Sequence, residues 1–260
     1  MGRDWKKEIV RMEKLFSLQD KKILITGASS GIGAGMANQA AKQGAQLILV
    51  ARNAARLESV HQQLESVPFL HQSFVCDLIS QSDLDRLVAS IEPLDGLVLN
   101  AGAVKLAPIA FINDNVVDDL FEVNIKSSIR LLQRLVRAKK IKKGASIVFI
   151  SSIATQKVTV GNAVYNATKG AVNALVKSVA LELAPKQIRA NAILPGFIPT
   201  GILHNGDVSP EELEVHKKNY PLGRYGTPED VANLAQYLLS DASQWMTGSL
   251  INLDGGFSIK

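Results

Sequence analysis

The chain has 260 residues, 47% of them hydrophobic, and a formal net charge of +5 at pH 7. This content can build one large α/β core, whereas no apolar run reaches the ~18 residues of a membrane span. Cys76 is the single cysteine, so an intrachain disulfide is excluded, and we expect it to be a buried core residue. The sequence has no signal-peptide pattern, and we expect a cytoplasmic protein. The four histidines have no metal-ligand spacing. The positive charge permits a nucleic acid partner, but no recognised binding motif supports one.

The first 17 residues precede the first predicted strand. Trp5, Ile9 and Met12 recur at roughly helical spacing among basic residues, which permits an amphipathic helix on a membrane or a partner. An untethered chain terminus explains the same pattern. Met12 is also a candidate for the natural start. We expect an N-terminal extension over residues 1–17 and one domain over residues 18–260.

A short apolar run from Lys22 to Thr26 ends in a glycine-rich turn, and a helical pattern then continues to about Gln43. Strand, glycine turn and helix form the unit that places a pyrophosphate on a helix N-terminus. The spacing T-G-x-x-x-G-x-G differs from the common G-x-G-x-x-G. We therefore predict a dinucleotide cofactor held by the turn residues Gly27, Ser29, Ser30, Gly31, Ile32 and Gly33.

The end of the second predicted strand, residues 45–50, indicates which dinucleotide binds. A carboxylate at this point would accept the ribose hydroxyls of NAD and repel a 2′-phosphate. The sequence has Arg52 instead, and a guanidinium suits a phosphate. NADP(H) is therefore favoured over NAD(H). The alternative is an ordinary solvated arginine, with Asn53 capping the next helix.

Two further strands, at about residues 70–76 and 96–99, follow helices predicted over about 54–64 and 82–91. Asp77 follows the first strand, where it can meet the adenine end of a cofactor or simply precede a helix. A small, flexible triplet follows the second strand and suits close backbone contact with a ligand. The predicted cofactor residues here are Asp77, Leu78, Asn100, Ala101 and Gly102.

A long helix is predicted from about Asn113 to Lys140, and Asn124 lies inside it although Asn is a poor helix-interior residue. Its basic end suits either a solvated helix terminus or a docking patch for an acidic carrier. The next strand, residues 145–150, ends at Ser151 and Ser152, at the edge where open α/β sheets bind ligands.

A helix ending before Pro185 then carries Tyr165 and Lys169, which are four residues apart and share one face. A sixth strand, residues 188–194, is broken by Pro195–Gly196. The irregular stretch over about residues 197–220, with a short helix at about 209–219, is predicted to be a substrate lid. A helix from Thr227 to about Leu239 and a strand at 250–253 complete the pattern.

Hydride transfer to a carbonyl requires a proton donor, and Tyr165 can serve. A lysine ammonium one turn away favours tyrosinate, so Lys169 is predicted to lower the Tyr165 pKa from ~10 and to hold ribose hydroxyls. Ser152 can bind the substrate carbonyl, and Asn124 can support a water chain. The spacing Y-x-x-x-K is a weak signal alone. The order of all these motifs strengthens it.

These motifs resemble the short-chain dehydrogenase/reductase family over about residues 18–260. The resemblance implies a single Rossmann-type, doubly wound α/β domain with a seven-stranded parallel sheet and helices on both faces. It implies Tyr165 as the acid/base, Lys169 as its pKa modulator and ribose anchor, Ser152 as the carbonyl binder and Asn124 as support for a water relay. It also implies a homotetramer packed through the long helices. Further cofactor contacts are implied at Pro195, Gly196, Ile198 and Thr200.

Within the family, residues 195–200 and 221–230 resemble 3-oxoacyl-[acyl-carrier-protein] reductases of fatty acid biosynthesis. That likeness implies an acyl carrier protein partner, gripped by Lys143 and Lys186. Leu99 departs from the common N-N-A-G, and both carrier positions have lysine in place of arginine. Another small ketone, sugar or cyclic alcohol therefore remains an alternative substrate. A non-catalytic NADP(H) sensor is a further alternative, but it would not need all four catalytic residues.

Overall fold

The computed structural model describes residues 14–64, 70–200 and 210–260. The stretch around Trp5–Met12, where an amphipathic helix or an untethered terminus was considered, lies outside these residues, as does the stretch 201–209 of the predicted lid. Among the described residues, no helix is both long enough and apolar enough to cross a membrane.

One parallel sheet forms the centre of the molecule. Its strands are β1 Lys22–Thr26, β2 Gln46–Ala51, β3 Gln72–Val75, β4 Leu94–Leu99, β5 Ile141–Ile150, β6 Arg189–Pro195 and β7 Leu250–Leu253. Their order is β3-β2-β1-β4-β5-β6-β7, and every neighbouring pair is parallel. All seven carboxyl ends therefore lie at one edge. The strand order reverses between β1 and β4, where doubly wound sheets form their ligand crevice.

Helices connect successive strands and cover both faces of the sheet. They are α1 Gly31–Lys42, α2 Ala54–Leu64, α3 Gln81–Ser90, α4 Asp114–Phe121, α5 Ser127–Arg137, α6 Ala163–Leu183, α7 Pro210–Lys217 and α8 Pro228–Leu239. This architecture confirms the predicted seven-stranded α/β fold.

The core lies in two layers because successive strand residues point to opposite faces. In β1, Leu24 belongs to one buried cluster with α3, α5 and α6, while Ile23 and Ile25 belong to the other with α1 and α8. Strands buried on both faces read as continuous apolar runs, which is the pattern seen in the sequence. Cys76 is buried in the first cluster, as expected.

The predicted long helix over residues 113–140 is wrong in one respect, because it is not a continuous α-helix. A π-helical segment, Glu122–Lys126, separates α4 from α5. Asn124 lies in it, and the Ser127 hydroxyl donates to the Val123 carbonyl at 2.6 Å. Polar side chains that bond nearby backbone groups compete with the regular helical ladder. The break therefore falls where the sequence has a poor helix-interior residue.

Candidate active site

The glycine turn between β1 and α1 leaves no room for a side chain at Gly27, Gly31 or Gly33. Gly27 and Gly31 have left-handed φ angles of 66° and 53°. A Cβ on Gly33 would lie 2.1 Å from the Gly27 carbonyl oxygen. The Ser30 side chain does not cap α1, and the first turn of α1 contains no acidic residue. The first-turn amides of α1 are therefore available to an anion.

The end of β4 is fastened to the end of β1. The Thr26 hydroxyl oxygen accepts from the amides of Asn100 at 3.0 Å and Ala101 at 3.1 Å. The Asn100 side-chain amide donates to the carbonyls of Thr26 at 3.0 Å and Gly27 at 3.3 Å. The predicted triplet 100–102 therefore lies beside the glycine turn, and Asn100 fixes the shape of that turn.

Arg52 is exposed directly after β2, and among the described residues it makes no hydrogen bond or ion pair. Asn53 accepts from the Arg56 amide at 2.9 Å, which confirms the capping alternative for Asn53. Asp77 and Leu78 lie near this point, because the Cys76 amide donates to the Ala51 carbonyl at 3.0 Å. The predicted residues of the adenine end thus share one corner of the carboxyl edge.

Asn124 is buried and links the loop after β4 to α6. Its Oδ1 accepts from the Ala103 amide at 2.7 Å, and its Nδ2 donates to the Ala103 carbonyl at 2.9 Å. Nδ2 also donates to the Thr168 hydroxyl at 3.0 Å. Both ends of this amide are bonded to protein groups. Asn124 therefore holds backbone in place, and its predicted part in a water chain stays a prediction.

The structure brings Ser152, Tyr165 and Lys169 together at the carboxyl edge. Ser152 follows β5, its hydroxyl accepts from the Ala154 amide at 3.1 Å, and it is close enough to Tyr165 to influence the Tyr165 pKa. Tyr165 lies in the first turn of α6, where the Thr168 hydroxyl donates to its carbonyl at 2.7 Å. Lys169 Nζ lies 5.8 Å from the centre of the Tyr165 ring and donates to the Ile150 carbonyl at 2.8 Å.

Burial has the largest influence on the pKa of both Tyr165 and Lys169. Burial raises the pKa of Tyr165, and the Ser152 hydroxyl opposes that rise only in part. Burial also lowers the pKa of Lys169 to about 8. The predicted lowering of the Tyr165 pKa by Lys169 stays a prediction, because burial is the largest influence on that pKa here. The lysine head group is directed at a backbone carbonyl, and desolvation weakens its own positive charge.

The residues after β6 close the other side of the crevice. The Gly196 amide donates to the Leu253 carbonyl at 2.9 Å. Thr200 lies against the glycine turn, since a Cβ on Gly31 would come within 2.9 Å of Thr200 Cγ2. Ile198 is similarly close to Gly226. The predicted residues Pro195, Gly196, Ile198 and Thr200 therefore extend from β6 towards the turn.

Sequence reasoning missed Thr26 and Thr168. Both side chains are almost fully buried and bond the residues named above. A threonine at the end of an apolar strand, and one inside the Y-x-x-x-K helix, were the available signals.

The comparisons with known proteins match this geometry. A family model described as enoyl-(acyl carrier protein) reductase covers residues 27–258. The 3-oxoacyl-[acyl-carrier-protein] reductase of Rickettsia bellii is 32% identical over 242 residues, which are 93% of this chain and 98% of that protein. The L-xylulose reductase of Homo sapiens is 33% identical over 242 residues, 92% and 97% of the two chains.

Among solved structures, a short-chain type dehydrogenase/reductase from Mycobacterium ulcerans aligns with a TM-score of 0.88 at 32% identity, covering 94% of this chain and 92% of that one. The chain belongs to the short-chain dehydrogenase/reductase family. It is an oxidoreductase by family, and the family binds NAD(P).

The residues of this short-chain dehydrogenase/reductase fit such a dinucleotide. A Cβ at Gly27, Gly31 or Gly33 would collide with Asn100, Thr200 or the Gly27 carbonyl oxygen, so the turn must stay tight, and the start of α1 offers amides that no side chain caps. An exposed cation, Arg52, follows the neighbouring strand. Among the described residues no cluster of His, Cys, Asp and Glu could hold a metal ion.

Lys143 and Lys186 lie far from this site within one chain. Lys143 is in the first half of β5, at the amino edge of the sheet. Lys186 follows the last turn of α6, 21 residues after Tyr165, so the helical rise separates the two by about 30 Å. The two lysines predicted to grip a carrier therefore mark the edge opposite to Tyr165.

Proposed function

We propose that this protein reduces a carbonyl to an alcohol with NADPH, and that its substrate is a 3-oxoacyl thioester. The observation that supports the proposal best is the grouping of Ser152, Tyr165 and Lys169 beside the glycine turn. A proton donor, a hydroxyl that can bind a carbonyl oxygen and a buried amine all lie at the carboxyl edge of the sheet.

When bound, the dinucleotide supplies the hydride that is added to the carbonyl carbon. Tyr165 gives its phenolic proton to the carbonyl oxygen, while the Ser152 hydroxyl donates a hydrogen bond that orients the same oxygen. A tyrosine is protonated near neutral pH at its ordinary pKa of ~10, and burial raises the pKa of Tyr165 further. The protonated state suits the reductive direction, in which a proton must be given.

Lys169 contributes through its charge and its position. Its pKa of about 8 lets the amine take and release a proton near neutral pH. Its Nζ lies beside both Tyr165 and the Gly102 backbone, since a Cβ on Gly102 would be 3.5 Å away. The head group can therefore bind a ribose hydroxyl and stabilise the tyrosinate left after proton transfer.

The preference for NADP(H) rests on Arg52 and on the lack of a carboxylate at the end of β2. Arg52 is exposed and unpaired among the described residues, so its guanidinium can bind a 2′-phosphate in a bidentate manner. Asp77 and Leu78 would hold the adenine. A solved relative, the actinorhodin polyketide ketoreductase, is described with NADPH at 28% identity.

A sugar ketone is the second candidate substrate, favoured by the likeness to L-xylulose reductase. The acyl carrier protein partner and the homotetramer implied by family resemblance belong to the proposal as well. A sensor of NADP(H) without turnover would bind the dinucleotide and leave every carbonyl unreduced.

The test is NADPH oxidation by the purified protein with acetoacetyl-CoA, beside NADH and beside Tyr165→Phe. We expect turnover with NADPH that is lost in the variant, while NADPH fluorescence still reports binding to both proteins. Binding without turnover of acetoacetyl-CoA, L-xylulose or cyclic ketones would contradict the catalytic proposal and support the sensor.

A further inference from the structure

Two loops frame the entrance to the candidate site. The first, residues 103–112, follows the triplet that ends at Gly102, and the second, residues 153–162, connects Ser152 to α6. The Ala107 amide donates to the Gly161 carbonyl at 2.9 Å, and a Cβ on Gly161 would lie 3.7 to 3.9 Å from Leu106 and Ala107. We call this touching pair the entrance loops.

The entrance loops expose an unusual amount of apolar surface. In residues 103–112 every side chain except that of Lys105 is apolar. Single exposed apolar residues are normal on a protein surface, whereas a contiguous group marks a binding surface. The most exposed members are Leu106 at 68%, Ile109 at 79%, Phe111 at 76%, Val158 at 72% and Val160 at 91%.

The polar side chains of these loops are already bonded to other protein groups. Lys105 pairs with Asp119, and Lys157 Nζ donates to the Lys260 carbonyl at 2.7 Å. The Thr155 hydroxyl donates to the Ser152 carbonyl. The side-chain amide of Gln156 donates to that of Asn252, and the side-chain amide of Asn162 donates to the Thr159 hydroxyl. A ligand at the entrance therefore meets apolar side chains and side-chain polar groups that already have partners.

This arrangement discriminates between the two candidate substrates. A sugar ketone carries a hydroxyl on almost every carbon, and a hydroxyl removed from water without a new partner costs free energy. An acyl chain has the opposite requirement, because each methylene transferred from water to apolar side chains stabilises the complex. The entrance loops offer what the acyl chain needs.

We propose that the entrance loops bind the apolar acyl chain of the substrate, with Leu106, Val158 and Val160 in contact with it. The substrate class is then a 3-oxoacyl thioester with a medium-length chain. The inference rests on the proposed reductase function, and it adds which part of the protein selects the substrate. The reacting carbonyl lies at Ser152 and Tyr165, and the chain extends outward over the loops that begin beside them.

The experiment measures kcat/KM with NADPH for 3-oxoacyl N-acetylcysteamine thioesters of four, six and eight carbons. These thioesters lack the phosphates of coenzyme A, so the chain is the only variable. We expect kcat/KM to rise by about fourfold for each methylene that becomes buried, which is ~0.8 kcal/mol. L-Xylulose serves as the polyol comparison.

Two surface variants, Leu106→Ser and Val160→Ser, should flatten the dependence on chain length, lowering kcat/KM most for the eight-carbon thioester and least for the four-carbon one. Both side chains are exposed, so folding should tolerate serine. Leu181→Ser is the matched control, because Leu181 is 78% exposed on α6 and lies about 24 Å along the helix from Tyr165. It should keep the full dependence.

The outcomes separate this inference from the proposed function. Turnover of the four-carbon thioester with no gain for longer chains overturns the inference alone. Failure to reduce any thioester, with L-xylulose reduced instead, overturns both. Variants that alter the oligomeric state by analytical ultracentrifugation but keep the chain-length dependence would identify the loops as an interface between copies of this chain, and would also overturn the inference.

Discussion

The two edges of the sheet carry different chemistry. At the carboxyl edge, buried and partly buried hydrogen bonds at 2.7 to 3.3 Å hold the glycine turn, Asn100, Asn124 and Tyr165. At the amino edge, Lys143 and Lys186 are exposed and solvated. In a parallel sheet, motifs that follow different strands all lie at the carboxyl edge, although they are far apart in sequence. Lys143 and Lys186 were chosen by family resemblance and do not follow a strand's carboxyl end, so within one chain they lie on the opposite side of the molecule from Tyr165.

The largest effect on activity is expected from removing the proton donor at the carboxyl edge. Tyr165→Phe keeps the ring in α6 and deletes only the hydroxyl. We expect kcat to fall by about a hundredfold to ten-thousandfold, as is typical for loss of a general acid. Steady-state kinetics would measure the fall, with an unchanged Kd for NADPH as the control. Retained activity would remove Tyr165 from the mechanism.

Arg52→Asp tests the cofactor corner of the same edge. It replaces a cation that suits a phosphate with an anion that repels one. The ratio of kcat/KM for NADPH to that for NADH should drop by roughly tenfold to a hundredfold, the range of charge-assisted hydrogen bonds. Arg56→Asp is the matched control, since Arg56 is also exposed and lies four residues further on, in the first turn of α2. An identical drop in both variants would indicate a general charge effect.

The amino edge is tested by Lys143→Glu combined with Lys186→Glu. Because both residues lie far from Tyr165 within one chain, kcat/KM for a free thioester should stay within about twofold, as for other surface changes without buried partners. If a carrier docks there, KM for the carrier-bound substrate should rise severalfold, most clearly at low salt. If KM changes by the same factor for the free and the carrier-bound substrate, no carrier docks at these two lysines.

The smallest predicted effect is on the free energy of unfolding, and it concerns an ion pair that has no proposed catalytic role. Arg224 donates to Asp230 at 2.6 and 2.9 Å, and Asp230 also accepts from the Thr227 amide at the start of α8. The Arg224 hydrogen bonds lower the pKa of Asp230 to about 2. A carboxyl whose folded pKa is depressed stabilises the fold above its unfolded pKa of ~3.9 and loses that contribution as the pH falls to 2.

Asp230→Asn should therefore reduce the free energy of unfolding by about 1 kcal/mol at pH 7, the usual worth of a helix cap. The difference from the unmodified protein should shrink as the pH falls from 4 to 2. Urea titrations at several pH values would measure it. A difference that does not depend on pH would show that the carboxylate charge plays no part.

Much of the fold followed from the sequence because apolar runs and glycine turns act locally. The glycines at 27, 31 and 33 and the runs of β1, β2 and β6 each predict an element without reference to the rest of the chain. The parallel sheet then places Ser152 near Gly27 without further information. The start of the helix at Thr227 was also predicted, and there the Thr227 side chain accepts from the Asp230 amide.

The rest depends on tertiary contacts that no local pattern contains. The π segment at Asn124 requires Ala103 and Thr168 as partners, and both are far away in sequence. The pKa of Lys169 depends on how deeply α6 packs against β5. The effect of burial on Tyr165 was not predicted for the same reason, since spacing places two side chains on one face but does not set their solvation.

The π turn at Glu122–Lys126 makes this part of the chain sensitive to insertions and deletions. A π-helix contains one more residue than the α-helical turn it replaces. Removing one residue here would restore a regular ladder and rotate α4 by about 100° relative to α5. Either Asn124 or the apolar side of α4 would then face the wrong neighbours. The length of this five-residue segment therefore sets the register between the loop after β4 and the helix that bears Tyr165.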